Sequence, residues 1–258
     1  MRTFQASTNE TSQVKTQQLE ECVELNNDAL IYLKIGETAE AHGLLREAES
    51  ILQKMMIPQE RDIPTTSQLD DVDYGRYFKW KDLSGALPTE DLASPRSFSL
   101  FLHGLWIHSD ISLSTVSDHE RGLATIWLIV QFNFALSCHL LGIQRFAAEG
   151  RSGLSNYQQV CHRYQAIQHA LDSLPIVSKS THFGMLMLAA VLNNQACIYS
   201  ELDLLDHASF YWSIFSTVLE MMIKNSLGCT KANSQLRIYF RMALNVSISR
   251  GSITAGAA

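Results

Sequence analysis

Apolar positions recur at spacings of three and four along most of the chain, which is the period of an amphipathic α-helix. The first stripe runs through residues 17–33, stops at Gly36, and resumes through residues 41–55. Two such helices joined by a short turn predict an antiparallel helical hairpin. The same period predicts further helices over about 119–141, 156–174, 181–201 and 204–224.

Several segments lack this period. Residues 1–16 are polar and rich in Ser, Thr and Gln, which predicts disorder. Residues 58–117 contain four of the five prolines and predict a long irregular insertion. Within it, residues 97–107 (SFSLFLHGLWI) suit an extended stretch packed on the helices, which leaves room for one short strand pair. The predicted order is a disordered N-terminus 1–16, a hairpin 17–57, the insertion 58–117, two hairpins within 118–224, and a partly disordered tail 225–258.

One segment of the chain is repeated. Residues 25–32 (LNNDALIY) recur as residues 192–199 (LNNQACIY), with six of eight positions identical at an offset of 167 residues. A weaker middle copy aligns Asn133 with Asn27, which also brings Gly142 onto Gly36. Repetition of one supersecondary unit predicts an all-α solenoid, in which neighbouring α-hairpins bury each other's apolar faces.

The repeated unit resembles the tetratricopeptide repeat (TPR), in which a large residue, a small residue and a tyrosine precede a turn and A-x3-F follows it. The Asn-Asn-x-Ala run is similar to repeats of the kinesin light chain kind. The residues that carry the resemblance are Leu25, Ala29, Tyr32, Ala41 and Leu45 in the first copy, Ala135 in the middle copy, and Leu192, Ala196, Tyr199, Ala208 and Trp212 in the third. We expect all of these except Leu192 in the core, together with Tyr164.

The resemblance implies a superhelix whose first helices line a concave groove. It also implies that an asparagine at one repeated position bonds the backbone of an extended partner peptide. The residues at that position are Asn27, Asn133 and Asn194. An amide suits this role because it both donates and accepts hydrogen bonds. The alternative is that each asparagine pairs with the neighbouring hairpin.

We therefore expect a protein–protein interaction module, an adaptor or scaffold that binds a peptide or helical segment of another protein. No Gly-rich phosphate loop, G-x-S-x-G or H-E-x-x-H motif occurs, so we expect no enzyme activity and no cofactor. The pairs Cys138-His139 and Cys161-His162 do not predict a metal site, because adjacent helical residues point about 100° apart. A helical enzyme, or a regulatory subunit with a pocket between hairpins, is the alternative.

Residues 123–142 form a third possibility, because twenty residues without Asp, Glu, Lys or Arg are long enough to cross a membrane. Gln131 and Asn133 at the midpoint of this segment, and its alignment with the repeat, favour a buried core helix instead.

The charge limits the classes of partner, and the cysteine content indicates the cellular compartment. The formal net charge is −6 and no dense Lys/Arg cluster occurs, which argues against nucleic acid and anionic membranes. Five scattered cysteines and the absence of an apolar leader predict reduced thiols in the cytoplasm, with the nucleus also open. The sequence leaves the oligomeric state open.

Overall fold

The structure is a computed structural model, and it describes residues 3–56, 78–83, 103–108, 116–149, 154–173 and 182–225. These residues form six helices and one two-stranded sheet. In chain order the elements are α1 (Thr3–Lys34), α2 (Thr38–Met56), β1 (Phe78–Asp82), β2 (His103–Ile107), α3 (Val116–Glu149), α4 (Leu154–Ser173), α5 (His182–Glu201) and α6 (Leu205–Asn225). The predicted all-α character with one short strand pair is confirmed.

Two helices are longer than their apolar pattern predicts. Helix α1 begins at Thr3, so residues 3–16 are helical where we expected disorder. This extension is rich in Thr, Ser and Gln and has no apolar stripe, so the apolar period gives no signal of a helix there. Helix α3 continues through Gly142 to Glu149. The helix therefore runs about two turns beyond Gly142, where the alignment with the first copy places a turn.

Gly142 does not end its helix as Gly36 does. A Cβ at Gly142 would lie 3.4 Å from Cε1 of Tyr157. This distance is an ordinary van der Waals contact, so the buried ring of Tyr157 on α4 packs beside Gly142 on α3. The alignment of Gly142 with Gly36 is a sequence coincidence at this position.

The chain divides into two compact units, which are described separately. The first contains Met1–Leu87 and Leu102–Arg163, and the second contains Pro88–Phe101 and Tyr164–Ala258. The boundary lies inside α4, whereas the sequence grouped residues 118–224 together. Most of the predicted insertion and the tail after residue 225 lie outside the described residues, so our expectations for them stay predictions.

The turn of the first hairpin has a defined hydrogen-bond pattern. The N–H of Glu37 donates to the carbonyl of Tyr32 at 3.0 Å, and the N–H of Gly36 donates to that of Leu33 at 3.1 Å. Gly36 has φ +87°. This pattern is a Schellman motif, which closes a helix with one residue in the left-handed conformation.

The turn between α5 and α6 repeats this pattern at the offset of 167 residues. The N–H of Leu204 donates to the carbonyl of Tyr199 at 2.9 Å, and the N–H of Asp203 donates to that of Ser200 at 3.3 Å. Asp203 has φ 60° and corresponds to Gly36. The sequence repeat is therefore a repeat of backbone structure in these two hairpins.

Small residues are buried where the helices of a hairpin pack together, since small side chains let helix backbones approach closely. The repeat residues that are buried as predicted are Ala29, Ala41, Leu45, Ala135, Ala196, Ala208 and Trp212, and Leu192 is also buried.

The prediction that Tyr32 lies in the core is wrong, because its side chain is 39% exposed. Leu25 and Tyr199 are only partly buried. The ring of Tyr199 stacks on His207 and Tyr211, at centroid distances of 5.3 and 5.2 Å. The first hairpin has Glu40 and Leu44 at the two matching positions, so Tyr32 finds no ring there to stack on.

Candidate functional site

Strand β2 lies against α1 and α3, the helices that carry the first and middle copies of the repeat. Its side chains Leu105 and Ile107 are fully buried. The asparagines of the two helices bond to its backbone. We call the three side chains Asn26, Asn27 and Asn133 the amide site.

Asn133 satisfies both backbone groups of one strand residue. The N–H of Leu105 donates to Asn133 Oδ1 at 2.9 Å, and Asn133 Nδ2 donates to the carbonyl of Leu105 at 2.9 Å. The second hydrogen of Nδ2 goes to Oδ1 of Asn26 at 2.7 Å. Asn133 is fully buried, so its side chain is held in a fixed orientation by protein groups alone.

Asn27 makes the same pair of bonds two residues further along the strand. The N–H of Ile107 donates to Asn27 Oδ1 at 3.0 Å, and Asn27 Nδ2 donates to the carbonyl of Ile107 at 2.7 Å. Asn26 joins the two, because its Nδ2 lies 3.1 Å from the carbonyl of Leu105 and 3.3 Å from Asn27 Oδ1. The predicted positions Asn27 and Asn133 are therefore brought together on one extended segment.

The spacing of these bonds follows from strand geometry. In a strand both backbone groups of one residue point to one side and those of the next residue point to the other. Leu105 and Ile107 therefore face the amide site together. The alternate residues Gly104 and Trp106 face β1, with Trp106 opposite Lys79 and Gly104 opposite Lys81 in the antiparallel register. The strand is hydrogen-bonded along both edges.

Gly104 lies where the strand packs closely against the helices. A Cβ at this position would overlap Leu30 Cδ2 and would lie 3.2 Å from Leu83 Cδ1 and 3.4 Å from Asn133 Oδ1. Glycine in a strand often marks such a close approach. Beside it, Trp106 is only partly buried, and Lys81 Nζ lies 3.7 Å from the centroid of its ring.

Asn194, the third predicted position, is in the second unit. Its Nδ2 donates to the hydroxyl of Tyr164 at 3.1 Å, and its Oδ1 accepts from Asn193 Nδ2 at 3.1 Å. These bonds match the alternative that the sequence left open, in which the asparagine pairs with a neighbouring helix. The partner-binding role of the three asparagines stays a prediction, and the structure gives two of them an extended segment as their partner.

Sequence reasoning missed three parts of this site. It did not assign Asn26, it did not identify residues 103–107 as the segment that is bound, and it gave no role to Gly104. The Asn-Asn pair in the repeat and a single glycine within an apolar stretch were the available signals.

A second polar cluster surrounds His42 on α2. Cys138 Sγ lies 3.6 Å from His42 Nδ1, Ser137 Oγ lies 3.5 Å from the same atom, and Arg46 Nη2 lies 2.9 Å from Nε2. Burial raises the pKa of the Cys138 thiol and lowers the pKa of the His42 imidazole. Both groups are therefore neutral near pH 7, and a neutral thiol is a weak nucleophile.

The Cys138-His139 pair does not converge on one ion. The ring of His139 packs on Tyr157 at a centroid distance of 6.0 Å, while Cys138 points toward His42. No group of three or more potential metal ligands occurs among the residues that the structure describes.

The polar residue Gln131 in the long apolar helix α3 has hydrogen-bond partners within the protein. Gln131 Nε2 donates to Glu49 Oε1 at 2.9 Å, and Arg163 bonds the same oxygen at 2.9 Å. Within the part of the chain that the structure describes, two segments have the length and composition to cross a membrane, Leu123–Phe146 and Phe183–Glu201. Their most apolar windows are 83% and 78% buried within the protein. Burial in a protein core gives the same composition.

Comparison of the chain with protein-family models, curated proteins and solved structures gives no match.

Proposed function

We propose that this chain is a protein–protein interaction module whose first helices hold an extended segment of a partner protein by its backbone. The observation that carries the proposal is the pair of two-way amide bonds from Asn133 and Asn27 to alternate residues of β2. The proposal includes TPR-like stacking of the hairpins around a concave groove, and an adaptor or scaffold role in the cytoplasm or nucleus.

The amide site has the properties of a preorganised binding surface. Its asparagines stand on helices, and Asn26 links the other two, so little side-chain freedom is lost when a strand binds. Backbone hydrogen bonds of this kind give affinity for any extended chain, and selectivity comes from the pockets for alternate side chains.

The enzyme alternative has weaker support. A catalytic cysteine needs an adjacent base or cation that stabilises the thiolate. Burial acts in the opposite direction at Cys138, whose pKa is raised although Arg163 nearby lowers it in part. The membrane alternative has no observation that burial in the core does not also explain.

Selection from a displayed library of short peptides against the purified chain tests the proposal. Asn27→Asp keeps an acceptor for the ligand N–H but replaces the donor with a carboxylate, which repels the ligand carbonyl. We expect selected peptides to bind this variant about tenfold more weakly or worse. The matched control is Gln17→Glu, which makes the same change of charge at an exposed position of α1.

Enrichment of peptides that bind the wild-type chain and Asn27→Asp equally well would contradict the amide-based mode of binding. Failure to enrich any peptide at all would contradict the function itself.

A further inference from the structure

The amide site is already occupied by a segment of the same chain. Strand β2 makes every bond that the proposed function assigns to a partner segment, and β1 pairs with its other edge. The inference below rests on the proposed function, because it concerns which segments the amide site accepts and what regulates access to it.

The side chains of β2 show which sequences fit. The asparagines touch only the backbone, so they do not distinguish one residue from another. Position 104 admits only glycine without movement of Leu30, which itself is buried. Positions 105 and 107 enclose Leu and Ile completely. Position 106 leaves its side chain partly exposed and is therefore less restricted.

We infer that β2 is an internal competitor for the amide site, and that it gives way to an extended segment of a partner protein that has glycine followed by apolar residues at the first and third positions after it. Such a segment restores each backbone bond that β2 gives up when it also pairs with β1 as β2 does. The exchange then depends on side-chain fit and on concentration rather than on a net loss of hydrogen bonds.

Competition within one chain has a measurable consequence. A tethered segment acts at an effective concentration of about millimolar, so it weakens the apparent affinity of any free segment. Disabling β2 as a ligand removes this competition while the amide site itself is unchanged. The same chain should then bind a free peptide more tightly.

The test uses a fluorescent nine-residue peptide with the sequence of residues 101–109 (FLHGLWIHS) and the full chain, followed by anisotropy. Gly104→Val in the chain places a branched side chain against Leu30 and Asn133 and disables β2. We expect this variant to bind the peptide about tenfold or more tightly than the wild type. A peptide with valine in place of its glycine should bind about tenfold or more weakly than the parent peptide.

Two further arms isolate the site. Adding Asn27→Asp to Gly104→Val should abolish the gain, whereas adding Gln17→Glu should preserve it. Sedimentation of the wild-type chain should show a monomer. A dimer that Gly104→Val dissociates would identify a second copy of the chain as the occupant and overturn the assignment to a partner protein.

A wild-type experiment covers the case in which Gly104→Val does not fold. With the peptide in excess, hydrogen exchange at the amides of Leu105 and Ile107 should become about tenfold faster or more, while amides of the α3 interior stay protected. Unchanged exchange at saturating peptide would overturn the competition.

The outcomes separate the two proposals. Equal peptide affinity for the wild type and a folded Gly104→Val chain removes the competition but leaves the binding function. Absence of binding to either chain removes both.

Discussion

Asn133 is a fully buried polar side chain in a helix segment that carries no Asp, Glu, Lys or Arg between residues 123 and 142. Such a group is tolerated in a core only when its hydrogen bonds are made. It makes three, to Asn26 and to both backbone groups of Leu105. These hydrogen bonds offset the free-energy cost of burying the amide of Asn133.

Removal of this amide should destabilise the fold more than removal of Asn27. Asn133→Ala leaves buried groups of Leu105 and Asn26 without partners and should cost about 2–5 kcal/mol of unfolding free energy. Asn27 is partly exposed, so water can replace its side chain, and Asn27→Ala should cost about 1–2 kcal/mol. Urea denaturation of both variants measures the difference. Equal costs would contradict the burial and bonding assigned to Asn133.

The docking of β2 should weaken in acid because of His103. Burial lowers the pKa of His103 below its ordinary value of 6.5, against the opposing effect of Asp82. The unfolded chain thus takes up a proton more readily than the folded one, so stability is complete above pH 6.5 and is lost as the pH falls from there through the folded pKa. His103→Gln should reduce this loss.

Melting temperatures of the wild type and His103→Gln between pH 7.5 and pH 5 check this expectation. His42, whose pKa is also lowered, contributes to both proteins equally and cancels in the difference. Parallel curves for the two proteins would show that His103 has no part in the acid response.

The sequence predicted the repeated asparagines but not the segment that they bond, which is β2. The alignment of the repeat identified Asn27 and Asn133, because an amide at one repeated position can bond the backbone of an extended segment. Gly104 could not be assigned, since its role depends on Leu30, which is 74 positions away in sequence and close only in the fold.

The helical hairpin is the element that the sequence predicted best. The bounds of α2, α5 and α6 lie within a few residues of the ends of their apolar stripes. In these helices the buried face and the flanking turn residues begin and end at the same positions. The start of α1 and the passage of α3 through Gly142 were not predicted. The first has no apolar stripe to mark it, and a glycine inside a helix gives the same signal in the sequence as one that ends a helix.

Two glycines of the first hairpin should respond to alanine in opposite directions. A Cβ would meet open space at both Gly36 and Gly43, but Gly36 has φ +87° and Gly43 lies inside α2. Gly36→Ala should cost about 1–2 kcal/mol because of the left-handed backbone. Gly43→Ala should stabilise the protein by about 0.5–1 kcal/mol through helix propensity. Thermal or urea unfolding of both variants measures the two changes in stability. A stabilising Gly36→Ala would contradict the left-handed backbone assigned to this turn.

The third hairpin should be sensitive to size at its small position. Ala208 is buried, so Ala208→Leu should overpack the hairpin and cost about 1–3 kcal/mol. The neighbouring exposed Ser209 provides the control, because Ser209→Leu adds a similar side chain on the solvent side. Equal melting temperatures for the two variants would show that the register assigned to this repeat is mistaken.

At the scale of the whole molecule, the repeat supplies equivalent hairpins and the insertion supplies a strand. The first and third hairpins share one turn geometry at the offset of 167 residues. The predicted insertion, which has no helical period, contributes β1 and β2, and β2 is bonded to Asn27 of α1 and Asn133 of α3. A segment that the sequence predicts to be an irregular connection thus forms a strand that is bonded to the asparagines of two helices.

The most direct test of this account is the detection, by nuclear magnetic resonance, of scalar couplings across the side-chain hydrogen bonds of Asn133 and Asn27. The account predicts a coupling between Nδ2 of each asparagine and the carbonyl carbon of its strand residue, Leu105 or Ile107. It also predicts slow hydrogen exchange at the amides of both strand residues. Absence of the couplings, together with exchange at the rate of an unstructured chain, would contradict it.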